Sequence, residues 1–273
     1  MESTLSLKYE TESEKAHCKN VVAIIPGTDP QLKDEYIVIS AHLDHVGIGR
    51  SIKNDSVYNG AWDNASGSAG ILSLAKIFKE SDIKLKRSVV FLWLTAEEKG
   101  LLGSHYFAHQ PTIPREKIVA NINLDMMGGF FEAKDIIPLG YEMSNISEAI
   151  DFAANTLNMS VNDSAIQIKQ YFENSDHFSF VQQGIPSIFI WRGLDAVDPE
   201  INGYKTYKKW ERKILHSPFD DLSQDFTNKA FEQALKLNFL TVAYLANEIE
   251  SVEWNEESKM YKKYVMNRKM VVQ

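Results

Sequence analysis

With 273 residues, of which 44% are hydrophobic and 11% aromatic, the chain is long enough to bury a full core and has the length of one α/β domain. Its 37 acidic and 29 basic residues leave a formal net charge of −8 with no basic stripe interleaved with aromatics, which argues against a nucleic-acid partner. The single cysteine, Cys18, excludes an intrachain disulfide framework and any cysteine-rich metal site, so a metal would have to be held by histidines and carboxylates.

Met1 to Leu7 carries neither a basic n-region nor an apolar h-region, and no apolar run approaches the ~18 residues of a membrane span. No export signal and no membrane contact are expected. The localisation this implies is cytoplasmic for a whole gene product, or periplasmic or extracellular for the trimmed part of an exported precursor. Thr4 to Thr11 and Val21 to Pro26 read as edge strands. Tyr36 to Ala41 reads as the first central strand and delivers His42-Leu43-Asp44-His45 to its carboxyl end. A polar, glycine-containing loop follows, and Asp63-Asn64-Ala65-Ser66-Gly67 then opens a helix with Ile71, Leu74, Ala75 and Phe78 at helical spacing. The apolar run Val89 to Leu94 reads as a buried strand, and it leads to Glu97-Glu98-Lys99-Gly100.

A helix over Gly100 to His109 is punctuated by Pro111 and Pro114, and the strand Ile118 to Leu124 ends in Asp125. Ile136 to Leu139 is expected as a short strand, Ile146 to Leu157 as a helix and Ala165 to Ile168 as a strand. Ser175-Asp176-His177 heads a short helix that stops at Gly184, before the strand Pro186 to Trp191. Arg192 to Leu215 is polar with Tyr204, Tyr207 and Trp210 scattered through it, and reads as a long functional surface loop that delivers His216. A helix over Phe226 to Glu250 shows an apolar face at Phe231, Leu235, Phe239, Val242 and Leu245. With no internal repeat or low-complexity segment, 1–273 is read as one domain, with 1–20 an N-terminal extension and 252–273 a charged, partly mobile tail.

Strands alternating with helices imply an α/β fold of three αβα layers, with a mostly parallel mixed central sheet and helices on both faces. The carboxyl edge of such a sheet gathers the strand-end residues into one cleft. The polar residues so gathered are His42, Asp44, Asp63, Glu97, Glu98, Asp125 and His216. Two imidazoles and several carboxylates with no thiolate suit zinc or its first-row neighbours better than calcium. So many carboxylates repel one another unless cations sit among them.

In order and approximate spacing, His42-x-Asp44, Asp63-Asn64-Ala65-Ser66-Gly67, Glu97-Glu98-x-Gly100, Asp125-Met126-x-Gly128 and His216-Ser217-Pro218-x-Asp220 resemble the dizinc exopeptidases typified by aminopeptidase Y and the bacterial leucyl aminopeptidases. The resemblance runs from about Val21 to Glu250. It implies two Zn2+ ions per chain, about 3.5 Å apart, with Asp63 bridging them, His42 and Asp125 completing one and Glu98 and His216 the other. Asp44 would accept the free ring N–H of His42 and fix its tautomer. Glu97, left out of the metals, would take a proton from the attacking water and pass it to the leaving amine. The resemblance also implies a cis peptide bond at Asp63-Asn64, and it places His177 as a donor facing the tetrahedral intermediate, with Asp176 as its orienter or a helix cap.

The function that follows is that of an aminopeptidase acting on peptide substrates. A carboxypeptidase or dipeptidase of the glutamate-carboxypeptidase type would need cations for the substrate carboxylate, for which Arg192 and Lys205 are available. Acyl transfer like that of glutaminyl cyclases would need one metal, and a non-catalytic module like the transferrin receptor ectodomain would lack a ligand. Many relatives carry a protease-associated domain or an N-terminal extension, and neither is expected here. Of the remaining candidates, His45 reads as a rim residue, His105 and His109 as a solvated helix face, and His17 and Cys18 as inert. Tyr171, Phe172, Trp191, Tyr204 and Tyr207 are aromatics of which one or two are expected to reach a side-chain pocket.

Overall fold

Strand β2 (Tyr36–His42) is apolar on both faces, because Ile37, Ile39 and Ala41 enter one core cluster while Val38 points into another. A strand buried on both faces belongs in the middle of a sheet covered by helices. The computed structural model describes residues 4–12, 15–248 and 250–266 and shows that arrangement. Around β2 the other elements are β1 (Val21–Ile25), β3 (Gly47–Ile52), β4 (Asp55–Tyr58), α1 (Ser66–Glu80), β5 (Ser88–Leu94) and α2 (Leu102–His109). Then come β6 (Ile118–Asn123), β7 (Asp135–Leu139), α3 (Ile146–Thr156), β8 (Ser160–Val161), α4 (Ile166–Lys169), α5 (His177–Gln182), β9 (Ser187–Arg192), α6 (Gly203–Lys213) and α7 (Asn228–Asn247).

Seven strands form one mixed sheet in the order β1-β5-β2-β6-β9-β7-β8. The four central strands run parallel, and the antiparallel pairs are β1 with β5 and β7 with β9. On one face α1, α3 and α7 cover Ile37, Ile39, Val89, Phe91 and Ile122, with Phe78 of α1 stacked on Phe239 of α7 at 4.8 Å. On the other face Phe107 of α2 and Phe180 of α5 cover Val38, Val90, Leu92 and Leu94. The three-layer αβα architecture is therefore the one read from the sequence. Helix α1 starts hard against the end of β6: a Cβ on Gly67 would lie 2.3 Å from the carbonyl oxygen of Leu124, so glycine is what allows the approach.

Four stretches differ from the expected elements. Residues 4–11 are irregular, and Leu5 and Leu7 are exposed, because alternation alone makes no strand without a sheet edge to pair with. The loop after β2 contains the hairpin β3–β4, turned through Lys53 and Asn54, both at positive φ, a two-residue connection in which Asn is favoured. Ala165 to Ile168 is a helical turn rather than a strand; a short apolar run does not settle its own period. The expected surface loop contains helix α6, whose Asn202 side chain accepts the N–H of Lys205 at the N-terminus and whose Tyr207 and Trp210, three residues apart, are both buried. The tail is also partly anchored, since Trp254, Met260 and Tyr264 pack on the cluster around Phe178; residues 267–273 lie outside the described residues.

Trp210 tests the reassignment of α6. It is 4% exposed and packs edge-on against Trp62 at 4.5 Å. Trp210→Ala is expected to cost ~3–5 kcal/mol in urea unfolding, against ~0.5 kcal/mol or less for a position on a solvated loop.

Candidate metal centre

The carboxyl edge of the sheet brings together His42 from the end of β2, Glu97 and Glu98 from the turn after β5, and Asp125 just beyond β6. Asp63 joins them from the tight loop Ala61–Ala65 and His216 from the segment after α6. His42 Nε2 lies 3.3 Å from Asp63 Oδ1 and 3.4 Å from Asp125 Oδ1. On the other side of Asp63, His216 Nε2 lies 3.1 Å from Asp63 Oδ2 and 3.2 Å from Glu98 Oε2. Asp63 thus turns one oxygen to each group.

His45 corrects the sequence reading. Its side chain is 6% exposed, and Nδ1 stands 2.8 Å from Glu98 Oε1 and 3.8 Å from Asp63 Oδ2, so it is an inner residue of the centre rather than a rim residue. The reason is local: Gly60, at φ +64, lets the chain pass so close that a Cβ there would meet His45 at 2.6 Å. The donor atoms of His42, Asp63 and Asp125 lie within 4.8 Å of one another, as do those of His45, Asp63 and Glu98. Neither His45 Nδ1 nor Glu98 Oε1 is in hydrogen-bond geometry with any described residue, although both are buried. Buried lone-pair donors that converge without bonding one another are a ligand set suited to a cation, and a nitrogen and oxygen set of this kind suits zinc.

The carboxylates that do not face the centre are spent on positioning. Asp44 departs from its expected role: its backbone carbonyl, not its carboxylate, lies 3.0 Å from His42 Nδ1, with the carboxylate at 3.9 Å. The carboxylate instead accepts the backbone N–H groups of Glu97 and Glu98, at 3.1 and 3.3 Å, and so fixes the turn that presents both. Asp220 does the same for the bridging loop, accepting the N–H groups of Trp62 and Asp63, each at 2.9 Å. Asn64 follows Asp63 through a cis peptide bond; it donates to Leu124 O and accepts the N–H groups of Gly67 and Met126, joining α1 to the end of β6. A buried relay then leads to Asp125: Asn121 donates to Ser40, Ser40 to Asn123, Asn123 to Ser175, and Ser175 to Asp125 Oδ2 at 2.7 Å. The sequence reading assigned no role to Ser40, Ser175, Asn121, Asn123 or Asp220, although Ser175 and Asp220 stand inside motifs named there.

Charge follows from this packing. Burial works to raise Asp63, but the His216 and His42 imidazoles outweigh it and hold the carboxyl well below its ordinary range. Burial is likewise overridden at Glu98 by the neighbouring His216 and His45 imidazoles, which bring it to about 2. His216 rises to about 10 through its hydrogen bonds to Asp63 and Glu98. Without a cation, the histidines must carry the positive charge. Glu97 has no such partner: burial lifts it to about 9, with Asp125, Asp176 and Asp63 adding to the rise against His42. In the metal-free centre this carboxyl keeps its proton at neutral pH; cations among its neighbours would favour its ionised form, the one that can accept a proton from water.

The cleft beside these residues holds about 230 Å³. Tyr171, Phe189, Trp191 and Tyr207 form its aromatic walls, while Phe172 packs in the core and Tyr204 is 42% exposed on α6. His177 does not reach it. Its ring is wholly buried, 4.8 Å from the ring of Phe172 and 5.5 Å from that of Phe189, and burial pushes it down to about 3, which removes it from the expected place facing a reaction intermediate. Asp176 neither orients His177 nor caps α5: its two oxygens have no hydrogen-bond partner among the described residues, the nearby Ser104 hydroxyl being directed to Leu101 O and Ser179. His105 and His109 stack at 4.1 Å on α2 with His109 bonded to Gln183, and Cys18 is exposed.

Residues 20–242 match the family described as Peptidase family M28. Among curated proteins, leupeptin-inactivating enzyme 1 of Streptomyces exfoliatus is 29% identical over 234 residues, 82% of this chain and 47% of that protein. Aminopeptidase Y of Saccharomyces cerevisiae is 27% identical over 257 residues, 91% of this chain and 43% of that one. Among solved structures, BSAP, a zinc aminopeptidase from Bacillus subtilis, superposes with a TM-score of 0.62 at 24% identity, over 88% of this chain and 51% of that one. The chain spans about half the length of the curated relatives it matches.

Asp176 supplies a pH test. Burial, with a smaller contribution from Asp125 and Asp44, raises it from 3.8 to about 7. A raised carboxyl binds its proton more tightly in the folded chain, so it costs stability as pH climbs from about 4 to 7 and the unfolded chain alone ionises. In a chelator-treated sample, Asp176→Asn should unfold at a higher temperature than wild type at pH 7.5, and the two should converge below pH 4. Parallel curves across that range would show that Asp176 is solvated or paired.

Proposed function

The chain belongs to peptidase family M28, and we propose that it is an aminopeptidase that holds two zinc ions and removes single residues from the free N-termini of peptides. The observation that carries the reading is the sharing of Asp63 between two groups of metal-compatible donors, with Glu97 buried beside them and outside both. His42, Asp63 and Asp125 would hold one ion. Asp63, Glu98 and His216 would hold the other, because His216 Nε2 reaches oxygens of both carboxylates at 3.1 and 3.2 Å, whereas His45 Nδ1 is close to Glu98 alone. When bound, the ions supply Lewis acidity, which lowers the pKa of a water toward ~7 and polarises the scissile carbonyl.

The chain's own residues account for the remaining steps. Glu97 takes a proton from the attacking water and delivers it to the leaving amine nitrogen, and its place in the Asp44-anchored turn keeps it at a fixed angle to the carbonyl. The aromatic walls take the first side chain and exclude water from it. No lysine or arginine lines the cleft among the described residues, while Glu97 and Glu211 do. An N-terminal ammonium therefore finds Glu97 there, and no lysine or arginine stands ready for a C-terminal carboxylate. Arg192, the cation a carboxypeptidase reading would use, is buried over the ring of Trp62 and does not line the cleft. The names of the relatives, an aminopeptidase and a leupeptin-inactivating enzyme among them, point the same way.

The deciding assay incubates the zinc-loaded protein with dipeptides bearing hydrophobic first residues, each free and N-acetylated, and follows release of the first amino acid. Cleavage of the free forms alone is expected; cleavage of the acetylated forms would move the assignment to a carboxypeptidase. Glu97→Gln should retain both metals by elemental analysis and lose ~10²–10⁴-fold in kcat. Near-normal turnover with full metal content would remove Glu97 from the mechanism.

A further inference from the structure

Glu211 lines the cleft from α6, yet its bonds go to the walls and not to the metal donors. Its Oε1 accepts the hydroxyl of Tyr207, one turn earlier on the same helix, at 2.9 Å, and that of Tyr171, from the turn after α4, at 2.8 Å. Lys208 pairs with Oε2. Burial works to raise Glu211, and the bonds from Lys208, Tyr171 and Tyr207 outweigh it and hold the carboxyl below its ordinary range. Burial and the carboxylate together lift both phenols, so each keeps the proton it donates.

The two tyrosines flank Trp191. Tyr171 lies parallel to it, at 6.1 Å and 15°, and Tyr207 meets it edge-on at 5.4 Å. Tyr207 is 2% exposed and is held on a helix that Trp210 anchors. Tyr171 is only half-buried and stands in a turn, so its bond to Glu211 is what ties its outer end to the opposite element. Without an acceptor its hydroxyl would turn to water and take the ring out of the wall.

We infer that Glu211 is the positioning residue that sets the specificity of the cleft: by tying Tyr171 to Tyr207 it holds the walls around a large apolar first side chain, of leucine or phenylalanine size. The inference rests on the aminopeptidase reading and adds a substrate class to it. A basic first residue is not selected, because Lys208 already occupies the carboxylate that its ammonium would need. A small first side chain leaves the walls uncontacted and gains little from them.

The test compares kcat/KM of the zinc-loaded chain on leucyl-alanine, alanyl-alanine and lysyl-alanine. Wild type is expected to favour leucine over both others by ~10-fold or more. Glu211→Leu should lower the leucine-over-alanine ratio ~10-fold, through KM and not kcat, because it removes the acceptor. Glu211→Gln should keep the ratio, since an amide oxygen can still accept both hydroxyls. A lysine preference in wild type, an unchanged ratio in Glu211→Leu or an equal loss in Glu211→Gln would overturn the inference and leave the aminopeptidase reading standing. Silence of wild type on all three free dipeptides would remove that reading and the inference with it. Should Glu211→Leu fail to fold, Tyr171→Phe decides, because it keeps the ring and removes only the hydroxyl: a ratio ~3-fold lower supports the tie, and an unchanged ratio overturns it.

Discussion

The structure turns on the crowding of like charges at one edge of a sheet. Asp44, Asp63, Glu97, Glu98, Asp125 and Asp176 converge there, and no lysine or arginine lines their cleft among the described residues. Carboxylates so close remain ionised only where each finds a donor or a cation. Two are quieted by peptide N–H groups, Asp44 by those of Glu97 and Glu98 and the supporting Asp220 by those of Trp62 and Asp63. Asp125 is quieted by a serine hydroxyl, and Asp63 and Glu98 by imidazoles. Glu97 and Asp176 are left over, and burial lifts them to about 9 and about 7; Asp220 is also raised by burial, against the pull of its two N–H groups. On the proposed reading, the roles of base, ligand and anchor are thus sorted by the partner each acid obtains.

That sorting is rigid because the loops that carry the partners are tied back to the sheet by buried hydrogen bonds. The relay from Asn121 through Ser40, Asn123 and Ser175 crosses β6, β2 and the start of α5, and its members are all buried. Every hydrogen in it is donated toward Asp125, which leaves Oδ1 of that residue free to face His42. Asn64 ties α1 to the end of β6 in the same manner. A buried network of this kind is favourable when complete and costly when any member is missing, so the ligands move with the sheet or not at all.

How much of this could be read in advance depended on the range of the interaction. The central strands were legible because burial on both faces writes a continuous apolar run, as in Val89 to Leu94. The acids at their ends were legible because the parallel sheet dictates where strand ends meet. His45 was not, since its position depends on the bend at Gly60, seen only once the chain closes on itself. Helix α6 was hidden by its composition: seven of its eleven residues are lysine, arginine, glutamate or threonine, and only Tyr207 and Trp210 mark the buried face. The Asn202 cap was the available signal, one residue long. Asp44 and His177 were assigned by motif, and the backbone placed them otherwise: one carboxylate turned to the Glu97 peptide, one ring buried behind Phe189.

The legible and illegible parts divide along a functional line. Most of the centre comes from the ends of β2, β5 and β6 and the loop that carries Asp63, whereas Tyr171, Tyr207, Glu211 and Leu215, which face it across the cleft, come from α6 and the turns after α4 and α6. There Glu211 accepts the hydroxyls of both Tyr171 and Tyr207 and pairs with Lys208, so that one carboxylate ties α6 to the turn after α4. The chemistry therefore rests on strand ends whose position is set by the sheet. On the proposed reading, the choice of side chain would rest on a wall assembled from amphipathic helix and loop, anchored at Trp210 and at the guanidinium of Arg192. A wall held by a few aromatic contacts can be rebuilt without moving the ligands, which is how one metal centre can serve clefts of different shape.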